Sequence, residues 1–468
     1  MSEMKGINPH IFREYDIRGK AQTDFTDEVV ELLGRGLGTY FQQKGERDVV
    51  VCRDNRASSP RLNVALNKGL LLAGCNVIDI GENPTPVCYF ALHHLAKTAG
   101  VMITGSHNPP EDNGFKISSS GSTIYGKEIQ RIKELINQGS FTSGLSQLIT
   151  KDVSRKYIHH LTSIIQVKRP LKVVIDAGNG TAGGLAWELY KKLGCEVVGL
   201  YIDSDNRFPA HHPDPTLPEN LADLQEMVLQ VKADVGLAFD GDGDRLGVVD
   251  NHGNILWGDI LQILFWREIL PKNPGTPVIV EVKCSQALVE EAKKLGGKPF
   301  FYKTGHSLIK AKMREVDALF TGEMSGHFFF ADEYFGYDDA LYAGARLLRL
   351  LSEQPLPLSD FLCDIPAYQA TPEIRLICPD EIKKGVIQRV REKFLSDDYE
   401  VMDIDGARVI FPEGWGLLRA SNTQPVVVMR AEAKDSVSLE RIVKELKAAF
   451  QDALAELSCA GDNFHGII

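Results

Sequence analysis

Asp234-Val235-Gly236-Leu237-Ala238-Phe239-Asp240-Gly241-Asp242-Gly243-Asp244-Arg245 joins a short apolar run to a loop in which three carboxylates alternate with glycine. A buried strand that ends in a polar loop suggests an α/β sheet, where ligands gather beyond the carboxyl ends of the strands. Two other stretches keep the rhythm. Gly100-Val101-Met102-Ile103 runs into Thr104-Gly105-Ser106-His107-Asn108-Pro109, and Ala318-Leu319-Phe320 runs into Thr321-Gly322-Glu323-Met324-Ser325-Gly326-His327. Upstream of each lies another apolar strand, at 48–53, 172–176 and 277–282. A helical stretch follows each of these and stops at Gly74, Gly194 or Gly296, glycine being suited to the left-handed conformation just past a helix. New apolar strands then begin at Val77, Val197 and Phe300. The alternation predicts three related α/β units with mixed, largely parallel sheets, their polar loops turned toward one cleft.

The last hundred residues break the pattern. Glu373 to Cys378 reads as a strand and 380–395 as a helix; strand-like runs at 408–411 and 426–429 flank the polar loop Arg419-Ala420-Ser421-Asn422-Thr423-Gln424-Pro425, and an amphipathic helix covers 439–457. This predicts a small C-terminal α+β domain. The expected division is 1–150, 151–253, 254–366 and 367–468, in a chain of 468 residues.

Composition narrows the function classes. Lys+Arg 52 against Asp+Glu 63 gives a formal charge of −11, which disfavours general binding to nucleic acid or to an anionic membrane, although a local basic pocket for a small anion remains open. No apolar run is long enough to cross a bilayer, and the first ten residues lack the apolar core of a secretory segment. The eight cysteines contain no close pair and no C-x-x-C, a spacing that suits reduced thiols in a cytoplasmic protein. No obligate protein partner is implied.

The loops carry the chemistry. Asp240, Asp242 and Asp244 repel one another unless a cation neutralises them, and oxygen ligands favour Mg²⁺ or Ca²⁺. A calcium hand would need Gly and Glu at loop positions six and twelve, where Arg245 and Asn251 stand, so that reading fails. Ser106 has His107 beside it and Lys116 nearby, but Thr104 and Asn108 break the G-x-S-x-G pattern of a hydrolase elbow. A serine near a metal makes sense as a phosphoryl carrier; taken alone, this loop reads rather as a glycine-serine turn with a helix cap. Arg419, Ser421, Asn422 and Thr423 form a candidate phosphate cradle that Arg430 could join, or a plain polar turn. Glu323 and Ser325 suit sugar hydroxyls, and His327 suits substrate or phosphate. Lys283 and the Lys303-Thr304-Gly305-His306 turn add positive charge, while Tyr15 and Arg18 either reach the cleft or anchor the N-terminal strand.

Together and in this order, the four loops resemble those of the α-D-phosphohexomutase family: 104–109 its phosphoserine loop, 240–245 its metal loop, 322–327 its sugar loop and 419–425 its phosphate loop. Gly-Glu-Met-Ser-Gly-His is similar to the sugar loop of the bacterial phosphomannomutase/phosphoglucomutase branch; phosphoglucosamine mutases usually carry Gln where Met324 stands. The resemblance implies three α/β domains and a C-terminal domain like the TATA-binding-protein fold around a central cleft. It implies an enzyme that interconverts hexose 1-phosphate and hexose 6-phosphate through phosphorylated Ser106, with a hexose 1,6-bisphosphate as intermediate and activator. Mg²⁺ would be held by Asp240, Asp242, Asp244 and the Ser106 side chain. Arg18, Arg245 and Lys116 are expected to stabilise the moving charge. Lys116, its pKa depressed by neighbouring cations, or His107 is expected to move the hydroxyl proton. The remaining substrate contacts would come from Tyr15, Lys283, His306, Glu323, Ser325, His327, Arg419, Ser421, Asn422, Thr423 and Arg430. Rival readings are a phosphoglucosamine mutase, a metal-dependent sugar phosphatase, and a sugar-phosphate sensor without chemistry.

Overall fold

The computed structural model describes residues 7–421 and 425–462. The chain forms two compact units. One runs to Asn273 and resumes over Gly305–Cys363; the other combines Pro274–Thr304 with the chain from Asp364 onward.

The first unit holds two large sheets and a two-stranded one. In the first sheet the strand order is Ile17–Lys20, Asp112–Ser119, Ala99–Ile103, Asp48–Arg53, Asn76–Glu82, Leu148–Thr150. Asp48–Arg53 is parallel to both of its neighbours, whereas Asp112–Ser119 returns antiparallel to Ala99–Ile103. The turn between those last two strands carries Ser106. Val49, Val51, Leu66 and Leu70 are buried in the core of this sheet. The helices Asp27–Gln43 and Ser59–Leu72 cross closely because glycine occupies both faces. A Cβ at Gly34 would lie 2.5 Å from the Leu66 carbonyl, and one at Gly69 would lie 2.2 Å from that of Glu31.

The second sheet repeats the plan, in the order Ile255–Leu256, Leu246–Asp250, Val235–Phe239, Lys172–Asp176, Glu196–Leu200. Lys172–Asp176 is again parallel to both neighbours, and a return strand again follows the functional loop, here 240–245. The glycines read as helix stops adopt the left-handed conformation: φ is +89° at Gly74, +89° at Gly194 and +85° at Gly296.

The third repeat departs from this plan. Pro277–Glu281 pairs in parallel with Lys298–Tyr302, but as a two-stranded sheet within the second unit. Phe320–Gly322 forms a separate antiparallel pair with Phe328–Phe330 in the first. The parallel pair has its own apolar partner: Val282 packs with Trp415 and Leu417, and the Arg408 guanidinium lies over the Trp415 ring at 3.6 Å.

The C-terminal sheet is antiparallel, in the order Gln369–Ala370, Val426–Ala433, Gly414–Ala420, Ala407–Phe411, Glu400–Met402, with Ile374–Ile377 also on Val426–Ala433. Helices Lys383–Ser396 and Ser436–Asp462 belong to this domain, and Val386, Val390, Ile442 and Leu446 pack in its core. Arg419, read from sequence as the start of a loop, is on the strand Gly414–Ala420. That strand forms because Trp415 and Leu417 have an apolar surface to cover. No helix among the described residues is long and apolar enough to cross a membrane. Seven described cysteines are free thiols, six of them buried.

Candidate active site

Ser106 sits just beyond the strand Ala99–Ile103 with φ +51°, a conformation that non-glycine residues adopt at a cost, and its neighbours hold it there. Its amide donates to Thr104 Oγ1 (2.8 Å), and the Gly105 amide donates to Asp54 Oδ2 (3.0 Å). Beneath the loop lies Arg56, 1% exposed, whose guanidinium donates to the carbonyls of Ser106 (2.7 Å), Asn108 (2.6 Å), Pro109 (2.5 Å) and Asp112 (3.0 Å). Gly105 is required by this cradle, since a Cβ there would lie 2.4 Å from the guanidinium carbon.

The Ser106 hydroxyl donates to Asp240 Oδ2 (2.8 Å) and lies 3.1 Å from His107 Nδ1. Hydroxyl and carboxylate are 134 residues apart in sequence, so the two sheets jointly make the site. A Cβ at Gly241 would lie 2.6 Å from the Ser106 carbonyl, which accounts for one glycine between the aspartates: the two loops touch backbone to backbone.

Asp240, Asp242 and Asp244 are fully buried and each offers one oxygen within 4.8 Å of the others. Asp240 Oδ1 accepts from the amides of Asp244 (3.0 Å) and Arg245 (3.1 Å). Asp242 Oδ2 accepts from Lys116 Nζ (2.7 Å) and Thr85 Oγ1 (2.5 Å), and Lys116 also binds Asp244 Oδ2. Asp242 Oδ1 and Asp244 Oδ1 are buried without hydrogen-bond partners. Burial and the charges of Asp242 and Asp244 push Asp240 well above the usual carboxylate range. Burial acts the same way on Asp242, but Lys116 overcomes it and holds that carboxyl low. The orphaned oxygens and the raised Asp240 mark a donor set short of positive charge, which fits a hard divalent cation.

Burial alone would lower Lys116, yet Asp242 and Asp244 win and hold its ammonium well above the ordinary lysine value. The sequence argument expected the opposite shift from neighbouring cations. The reason for the difference is direct contact, because two carboxylates touch Nζ. His107 goes the other way, well below the usual histidine range, through burial and the charges of Arg245 and Arg18.

Other expected residues join this cluster. Arg18 donates to Asp16 Oδ2 (2.7 Å) and to Asn108 Oδ1 (2.8 Å), tying the N-terminal strand to the serine loop. Arg245 Nε donates to His327 Nε2 (3.0 Å). His327 Nδ1 lies 3.2 Å from Asp338 Oδ2, and its ring stacks on His306 at 5.6 Å. Glu323 Oε1 accepts from the Gly305 amide (2.7 Å) at the start of the helix His306–Val316. The Tyr15 ring covers Gly305, where a Cβ would lie 2.7 Å from it. Ser325, in the same turn as Glu323, is half-buried.

The second unit holds a separate set. Lys283 Nζ pairs with Glu373 (2.5 Å), Arg419 Nε donates to Asp405 (3.0 Å), and Arg430 donates to the Lys283 carbonyl. Burial would raise Glu373, but Lys283, Arg419 and Arg430 bring it down to about 2, so these cations share one field. The Ser421 carbonyl accepts from Lys383 (2.5 Å). Asn422 and Thr423 lie outside the described residues.

Several participants were not singled out from sequence. Asp54 and Arg56 follow the strand Asp48–Arg53, and the rule that ligands gather beyond strand ends could have flagged them. Thr85, His212, Lys310 and Asp338 carry no such signal. The imidazole of His212 contacts the His107 carbonyl, and Asp338 accepts from Lys310 (2.7 Å) behind the two sugar-loop histidines.

A buried serine, three carboxylates that could hold a cation and nearby cationic side chains are the kinds of group that phosphoryl transfer uses. Four models of one family match in chain order: phosphoglucomutase/phosphomannomutase alpha/beta/alpha domain I over 9–143, domain II over 155–253, domain III over 257–368 and the C-terminal domain over 373–449. The chain belongs to the phosphoglucomutase/phosphomannomutase family. It is 44% identical over 444 residues to a phosphomannomutase/phosphoglucomutase of Pseudomonas aeruginosa, covering 95% of each chain. It is 43% identical over 452 residues to a phosphoglucomutase of Neisseria meningitidis, covering 96% of this chain and 98% of that one. A crystal structure of a phosphoglucomutase/phosphomannomutase family protein from Burkholderia thailandensis matches with a TM-score of 0.89 at 44% identity, over 96% of this chain and 98% of the other.

Proposed function

We propose that this enzyme moves a phosphoryl group between the 1 and 6 positions of glucose or mannose, with Ser106 as the carrier and a hexose 1,6-bisphosphate as the released and recaptured intermediate. Kinship makes the chain a hexose-phosphate mutase. The observation that carries the role of Ser106 is its hydroxyl, 3% exposed as a residue and 2.8 Å from Asp240 Oδ2. Mg²⁺ bound by Asp240, Asp242 and Asp244 would offset the two negative charges of phosphoserine.

The protein's own groups then divide the work. As the bond from phosphorus to Ser106 Oγ breaks and the bond to the sugar oxygen forms, the sugar hydroxyl gives up a proton and Oγ regains one. His107, 3.1 Å from Oγ and held neutral, is the group we assign to carry that proton. Lys116 keeps its own proton and serves as fixed positive charge, together with Arg18 and Arg245. Arg56 fixes the serine loop through its carbonyls. Glu323 gives one oxygen to Gly305 and offers the other, with Ser325, to sugar hydroxyls; His306 and His327 complete that contact. Lys283, Arg419 and Arg430, with Ser421, Asn422 and Thr423, would hold the phosphate that is not reacting, and Tyr15 would contact substrate from the first unit. Domains at 1–150, 151–253, 254–366 and 367–468 would each contribute one loop.

A phosphorus NMR time course tests the reading. Glucose, mannose and glucosamine 1-phosphates are supplied separately with Mg²⁺ and a trace of hexose bisphosphate. The expected result is transfer of signal to the 6-phosphate for glucose and mannose. Inorganic phosphate appearing in its place would make the enzyme a phosphatase, and a faster glucosamine reaction would overturn the sugar assignment.

A further inference from the structure

A cavity of about 350 Å³ lies within the first unit, apart from the four loops. It opens between the helix Thr85–His94, the strands Asp112–Ser119 and Ser122–Thr123, and the helix His306–Val316. Three cationic side chains line it, Lys97, Lys310 and Arg314, and none of its lining residues is an aspartate or glutamate. In a chain with 63 acidic residues against 52 basic ones, that one-sided lining is unusual.

Two of the three cations have a carboxylate partner, and Arg314 has none among the described residues. Lys310 is 4% exposed and donates to Asp338 Oδ1 (2.7 Å) and Tyr89 OH (3.2 Å). Burial lowers its pKa in spite of Asp338, with Lys116 adding to the effect. Arg314 reaches only the Ser122 hydroxyl, and among the described residues no carboxylate forms an ion pair with it. Burial of part of its guanidinium lowers its pKa, although the residue as a whole is exposed. Lys97 pairs with Asp48 at 2.6 Å, as Lys310 does with Asp338, and neither carboxylate belongs to the cavity lining. The last turn of Thr85–His94 also lines the cavity, and its carbonyls accept from the amides of Leu95, Ala96 and Lys97.

A guanidinium without a carboxylate partner has a donor fork that matches phosphate oxygens. Hydroxyls of Ser122, Thr123 and Tyr89 stand ready to complete the contacts. We infer that this cavity is an accessory binding site for a small phosphate-bearing anion, held by Arg314, Lys310 and Lys97 and separate from the catalytic centre.

Isothermal titration of the full-length protein with inorganic phosphate tests this. Wild type should show two classes of site. Arg419→Ala, which damages the proposed phosphate cradle, should leave the accessory class intact. Arg314→Gln should weaken the accessory class about tenfold or more. Ser122→Glu places a carboxylate against Arg314 and should abolish that class while keeping the guanidinium. Phosphate binding unchanged in both Arg314→Gln and Ser122→Glu would overturn the inference, as would a single class in wild type that Arg419→Ala removes. Hexose-phosphate turnover by Arg314→Gln should equal that of wild type, so loss of this site is read separately from any failure of the mutase assignment.

Discussion

At the scale of single residues, the proposed chemistry rests on a serine with φ +51° and the groups that keep it there. Ser106→Ala removes the proposed carrier oxygen but no part of the substrate cradle. Its turnover should fall by about 10³ or more while hexose-phosphate binding stays within about threefold, measured by phosphorus NMR and titration calorimetry. Near-normal turnover would end the carrier role. Arg56 acts one step further back. Its guanidinium spans four carbonyls, a geometry that a lysine ammonium cannot reproduce, so Arg56→Lys should let the serine loop shift. A displacement of about 1 Å at a reacting group costs on the order of 10² in rate. The expected outcome is a fall of that size in kcat with KM little changed; a rise in KM alone would show that Arg56 serves binding. Sequence could single out the three aspartates, because carboxylates alternating with glycine call for a cation, and Ser106 only once the four loops were read in order. Arg56 carried only the general signal of a place just beyond a strand end, and Asp338 none, since a lone aspartate in a polar loop has no spacing to read.

At the scale of elements, local signals were read well and pairings less so. Glycine stops at 74, 194 and 296 are local requirements of backbone conformation, and all three hold. The split of the third repeat depends on which apolar faces meet, which is a non-local matter: Val282 finds Trp415 and Leu417, far along the chain. The strand Gly414–Ala420 escaped notice because Gly414 and Gly416 dilute its apolar pattern. A Cβ at Gly414 would lie 2.0 Å from the Glu432 carbonyl, so close backbone approach, not turn chemistry, explains that glycine. In the same unit, Glu373 supplies a pH-dependent contribution to stability. Its carboxyl, near 4.5 when unfolded, falls to about 2 in the folded protein beside Lys283. A depressed acid stabilises the fold above its unfolded pKa and loses that contribution as pH falls toward the folded value. Glu373→Gln should therefore cost about 1–2 kcal/mol at pH 6, allowing for solvent screening of a part-exposed group, and progressively less between pH 4.5 and 2. Urea unfolding of variant and wild type across that range measures the difference. A gap that stays constant with pH would show that the glutamate contributes by packing alone.

At the scale of the whole molecule, the site is made almost entirely of long-range contacts. Thr85 and Asp242 are 157 residues apart, Ser106 and Asp240 are 134 apart, and Lys116 and Asp244 are 128 apart. The carboxylate trio is therefore assembled only when both large sheets of the first unit are complete, and the unfolded chain offers no equivalent arrangement. A ligand that binds the folded state alone stabilises it by mass action, about 2.7 kcal/mol at a hundredfold excess over Kd. The set without a cation is also electrostatically frustrated, with Asp240 pushed up and two buried oxygens unpaired, which enlarges the gain on binding. Mg²⁺ should raise the thermal unfolding midpoint of wild type, and chelation by EDTA should reverse the rise. Asp242→Asn and Asp244→Asn each remove one carboxylate charge from the trio, so each should shrink the Mg²⁺-dependent shift to about a third or less at the same concentration. The same ion should leave the Arg419→Ala variant with a full shift, because that residue belongs to the other unit, where its Nε donates to Asp405. A full Mg²⁺ shift in both aspartate variants would place the bound ion elsewhere, and the charge deficit at the trio would then have to be met by protonation of Asp240.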